Sequence, residues 1–117
     1  MHTLYFDIRV KKAVTKDQVK KRFQTLPGLA VTHKKSANSV FAFGRDHGYM
    51  GRILNQTVFV LPSLHVSQDG RMVTGFCFTP QDGNALISSV AAATWFVYPE
   101  TYEPKLACLK DSIFPEV

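Results

Sequence analysis

Cysteine is scarce in this sequence and is not clustered: the 117 residues hold two, Cys77 and Cys108. With no C-x-x-C pair and no Cys and His at zinc spacing, the chain carries neither a disulfide framework nor a zinc module. Cys77, in the apolar run Phe76-Cys77-Phe78, reads as a packing residue, and Cys108 after Leu106-Ala107 as another. No apolar run approaches the roughly 20 residues of a membrane-spanning helix. The alternating N-terminus does not resemble a signal peptide. A cytoplasmic, reducing setting without membrane contact is expected.

Catalytic signatures are missing too. There is no G-x-S-x-G elbow, no H-E-x-x-H and no E-x-x-H, so neither a nucleophile elbow nor a metal site is expected. The aromatic-plus-glycine ribonucleoprotein signature and a GXXG loop between helices are absent, so nucleic acid is not an expected partner.

What remains is ordinary for a globular domain, with 45% hydrophobic and 20% charged residues. One α+β domain over residues 1–117 is expected, with a core of 1–98 and a tail of 99–117. The charge is uneven. Residues 1–52 hold eleven Lys or Arg against three Asp, and the remainder three basic against six acidic residues, giving +8 and −3. A basic half suits a solvated surface, or by generic charge a phosphorylated small molecule, nucleic acid or an acidic partner.

Leu4, Phe6, Ile8 and Val10 alternate with Tyr5, Asp7 and Arg9, which predicts a strand. Thr15 and Gln18 form a capping-box pattern, with Val14 and Val19 as its staple. Val19, Phe23 and Leu26 follow as the buried stripe of a helix ending at Pro27-Gly28. "LAVTH" predicts a short strand. Ser36 or Asn38 then starts a second helix with Ala37, Val40, Phe41 and Phe43 inward. "NQTVFVLP", "SLHVSQDG" and "RMVTGFCFTP" predict an antiparallel meander, and residues 85–96 a third helix with Leu86, Val90, Ala93 and Val97 on one side.

The order β-α-β-α-β-β-β-α predicts a mixed or mostly antiparallel sheet with its helices on one face. The other face would then carry Tyr5, Phe59, Leu61, Val73 and Cys77, too apolar to face water. A homo-oligomer, a partner domain or the tail is expected to cover it.

The stretch "VFAFGRDHGYMGR", residues 40–52, concentrates glycine and cations. Its glycines follow a predicted helix instead of preceding one, so it fits no nucleotide fingerprint. Two readings stay open: a helix end with Gly48 in the left-handed position past it, or a turn presenting Arg45, His47 and Arg52 to an anion.

A set of elements, in order, carries a resemblance. Met1-His2 opens the first strand, followed by Val10 to Thr15, the helix and Leu26-Pro27. Ser36-Ala37 starts the next helix, which ends in Arg45-Asp46-His47-Gly48. Asn55 leads into strands, and Gln81 opens the last helix. Over residues 1–97 this pattern is similar to the C-terminal catalytic part of archaeal-type glyceraldehyde-3-phosphate dehydrogenases. The resemblance implies that family's sheet-plus-helices fold, assembly through its sheet, and His2 in the position of the general-base histidine. The family's cysteine nucleophile and dinucleotide-binding half have no counterpart here, and Pro80-Gln81-Asp82-Gly83-Asn84 departs from the family's loop. The resemblance therefore implies an incomplete phosphorylating aldehyde dehydrogenase, binding no cofactor alone and using NAD(P) only through another domain. The alternative is a small basic α+β binding or assembly module without catalysis.

Overall fold

A computed structural model describes residues 1–50, 54–80 and 86–117. Strand β1 (His2–Arg9) is followed by helix α1 (Lys16–Thr25). The expected capping box is present: Gln18 N–H donates to Thr15 Oγ1 at 3.2 Å, and Thr15 N–H donates to Gln18 Oε1 at 2.9 Å. Two otherwise orphaned donors are satisfied, an arrangement worth about 1 kcal/mol. Val19 and Phe23 are buried along the inner face. Extended Leu26 ends the helix, as expected of a residue before proline.

Strand β2 (Leu29–Thr32), helix α2 (Ala37–His47), β3 (Thr57–Val60), β4 (His65–Val66) and β5 (Met72–Thr79) complete the body. The five strands form one mixed sheet, four of them in the order β1-β5-β3-β2 and β4 pairing with β5 off that path. β5 is antiparallel to β1 and β3, while β2 is parallel to β3. The α+β class and the mixed sheet agree with the sequence reading.

The placement of helices on one face does not. α1 packs with Val31, Phe59, Val73 and Cys77, whereas α2 packs with Ala30, Val58, Val60 and Phe78. Successive strand residues point to opposite faces, so the two helices lie on opposite sides of the sheet. The cause is topological. The β1-α1-β2 crossover runs across the sheet and β2-α2-β3 runs back, and right-handed connections in opposite directions use opposite faces. Phe59, Leu61, Val73 and Cys77 are therefore covered by the chain's own α1, and no other subunit is needed there. Tyr5 does not belong with them: Leu4 opposes Cys77 and Tyr5 opposes Phe76, which puts Tyr5 on the other face.

The three-strand meander is also corrected. β3 and β4 run along the same edge of β5, Val58 opposite Phe78 and later His65 opposite Thr74. They are one strand interrupted by a 3-10 turn at Leu61–Ser63. Ser63 mends the gap: its hydroxyl donates to the Val60 carbonyl at 2.7 Å and accepts the Phe76 N–H at 2.9 Å.

In α2, Val40 and Gly44 are the buried residues, while Phe41 points outward and is 55% exposed. A Cβ at Gly44 would lie 2.9 Å from Leu54 Cβ, so the small residue serves close packing. Gly48 is not left-handed; it is extended (φ −70, ψ 175) and donates its N–H to Gly44.

Helix α3 (Leu86–Val97) precedes a short α4 (Tyr102–Lys105) and a 3-10 segment, Leu106–Ser112. The tail then turns back along β2. Val31 N–H donates to Pro115 O and Val117 N–H donates to Val31 O. Gln56, fully buried, fastens the tail. It donates to the carbonyls of Leu29 and Phe114 and accepts the Phe114 N–H, each at 2.7 Å.

Candidate functional site

His2 begins β1 opposite Thr79 and is exposed. Arg45 donates Nε–H to Asp46 Oδ1 at 3.0 Å, both side chains being exposed. That bond raises the guanidinium and holds the Asp46 carboxyl below its ordinary range. His47 sits 4.7 Å from the Phe43 ring, which meets Phe114 edge-on at 5.1 Å and takes Lys34 Nζ at 5.4 Å. Residues two apart on a helix are about 200° apart around it. Arg45 and His47 therefore leave α2 in different directions, and Arg45 pairs with Asp46 at the surface. Arg52 lies outside the described residues, as does Gln81.

Cys77 is buried beneath α1, and burial pushes its thiol up, away from the thiolate a nucleophile needs. Cys108 is exposed and not the packing residue expected. Among the described residues, no three His, Cys, Asp or Glu side chains gather as a metal site. A small cavity of about 50 Å³ under α3 is lined by Tyr49, Asn55, Leu86, Ile87, Val90 and Leu109, with Ser112. The Asn55 amide is buried there without a partner.

The molecule also leaves several large apolar side chains exposed. It exposes 7669 Å², against about 6,400 Å² for a compact monomer of 13.1 kDa. The excess, roughly 1,300 Å², exceeds the ~800 Å² that each partner contributes to a standard protein interface. The radius of gyration, 15.1 Å, is likewise above the ~13.4 Å of a compact chain of this length.

Two regions hold many of these side chains. α3 has no charged residue and buries none of its twelve. The side chains expected inward include Val90 and Val97, which are 39% and 65% exposed, and Phe96 beside them is 80% exposed. A helix apolar all round is normally covered. The second region is β1 and its neighbour: Leu4 and Ile8 are partly open on the α1 side. Tyr5 and Phe76, ring centroids 5.5 Å apart, are open on the other. The alternation of β1 was legible in the sequence; that no helix covers its outer half was not.

No helix among the described residues is long and apolar enough to cross a membrane. Comparison with protein-family models, with curated proteins and with solved structures gives no match.

Proposed function

We propose that this chain is a non-catalytic assembly module that works by self-association, its partner being a second copy of the same chain. The observations that carry the reading are an exposure roughly 1,300 Å² above that of a compact monomer, large enough for one standard interface, and the exposed apolar side chains on α3 and β1. If about 800 Å² of largely apolar surface per copy is removed from water, the gross gain outweighs the 4–15 kcal/mol that association costs.

A protein partner fits better than a lipid surface. Helices that lie in the bilayer interface carry a polar face rich in Lys and Arg, and α3 has neither. The dehydrogenase reading rests on the sequence pattern and on His2 alone, with Arg45 and His47 apart.

Sedimentation equilibrium over a wide concentration range tests the proposal. The expected mass is a multiple of 13.1 kDa; a monomer persisting to high micromolar concentration refutes it. Oxidation of glyceraldehyde-3-phosphate with NAD(P) should be absent, and turnover abolished by His2→Ala would establish the dehydrogenase instead.

A further inference from the structure

The two edges of the sheet are treated differently. The β2 edge is met by residues 115–117, which bond to Val31. The β1 edge has no strand neighbour among the described residues. It is eight residues long and carries none of the proline, bulge or lysine that natural edge strands use to prevent pairing, its only charged residues being Asp7 and Arg9.

The direction of its free groups can be worked out. Val10 N–H donates to Arg71 O at 2.9 Å, one step beyond the Arg9–Met72 pair of the β1–β5 ladder. In an antiparallel ladder, directly bonded pairs alternate with unbonded ones. His2, Leu4, Phe6 and Ile8 therefore bond inward to β5, and Thr3, Tyr5, Asp7 and Arg9 turn their N–H and C=O groups outward. The far side of β5 agrees: Met72 and Phe76, opposite Arg9 and Tyr5, give their N–H groups to Ser67 and Ser63 on the other edge.

We infer that β1 pairs antiparallel with β1 of a second copy across a two-fold axis at Phe6, joining two sheets into one. The inference rests on the self-association proposed above and names its surface. This register sets Thr3 opposite Arg9 and Tyr5 opposite Asp7 of the second copy, so all four outward residues of each strand are used, in roughly eight backbone hydrogen bonds. Leu4 meets Ile8 of the second copy, covering both partly exposed side chains on the α1 face. An axis at Asp7 would set two carboxylates opposite each other, which is destabilising. An axis at Tyr5 would leave Arg9 opposite Met1, outside the strand.

Charge selects the antiparallel sense. Arg9, Lys11 and Lys12 crowd one end of β1. Parallel pairing would stack the two basic ends, whereas antiparallel pairing separates them by about 25 Å, beyond the ~8 Å screening length at physiological salt.

Tyr5→Pro is the decisive variant. It removes an outward N–H and leaves the inward ladder to β5 intact, and proline is tolerated on an edge whose N–H faces solvent. The wild-type chain should sediment at twice 13.1 kDa and the variant at that mass, with unchanged far-ultraviolet circular dichroism. In the wild type, amide exchange at Thr3, Tyr5, Asp7 and Arg9 should be at least tenfold slower when concentrated than when diluted into monomer. That measurement decides the matter even if the variant fails to fold. A wild-type dimer whose four outward amides exchange freely, or a Tyr5→Pro chain that remains dimeric, overturns the β1 pairing and leaves self-association standing through another surface. A wild-type monomer overturns both.

Discussion

Replacing Gln56 with leucine should cost about 3 kcal/mol and release the tail from β2. Gln56 is 0% exposed, and its amide serves two carbonyls and one N–H, the latter two both on Phe114. Leucine fills similar space and makes none of these bonds. Each buried polar group left unpaired costs about 1–3 kcal/mol. Three such groups, partly rehydrated as the tail lifts and offset by no longer burying an amide, give the figure of about 3 kcal/mol. With an unfolding entropy of about 2.1 cal/mol/K per residue, the melting temperature should fall by about 12 °C. Urea denaturation measures the loss, and amide exchange at Val31 and Val117 reports on the tail. A loss below about 1 kcal/mol, with both amides still protected, would refute the claim that this side chain fastens the tail.

Two further substitutions probe the turn between β4 and β5. Gly70 has φ +69, and a Cβ there would lie 2.9 Å from the Val14 carbonyl oxygen. Gly70→Ala should therefore destabilise by about 1–3 kcal/mol in chemical denaturation, and an unchanged midpoint would contradict this. The Asp69 carboxylate accepts from the Ser67 hydroxyl and the Arg71 N–H, and these bonds lower its pKa from 3.8. A depressed folded pKa means that the contribution of Asp69 is present above the unfolded value and lost as pH falls through the folded one. Titration followed by nuclear magnetic resonance should place Asp69 below 3.8, and Ser67→Ala should move it upward; no movement would remove Ser67 as the main cause.

What the sequence disclosed was whatever depends on neighbours along the chain. The Thr15–Gln18 box, the stripe of Val19 and Phe23, and the turn at Gly70 are each decided within a few residues. The face on which a helix packs is decided by where its flanking strands lie in the sheet. For that reason α2 was set on the wrong side, and Tyr5 was grouped with Phe59 and Cys77. Gln56 was read only as part of the strand segment "NQTVFVLP", because its partners, Leu29 and Phe114, lie 27 and 58 residues away. The turn at residues 45–52 was read from neighbours along the chain as well, and there the structure adds the Arg45–Asp46 pair while Arg52 lies outside the described residues. His2 was suggested by pattern resemblance, and the structure places it exposed at the head of an edge strand, opposite Thr79.

The strip of chain at residues 115–117 has a consequence for how far such sheets can grow. In polymer terms, under the β1 pairing proposed above each folded chain offers one reactive end for strand pairing, because residues 115–117 meet the other. Units with a single reactive end make pairs and then stop; units with two make chains of unlimited length. Freeing β2 by loosening the tail would convert the first kind into the second, so Gln56→Leu, beyond its loss of stability, should turn a soluble pair into material that elongates and precipitates.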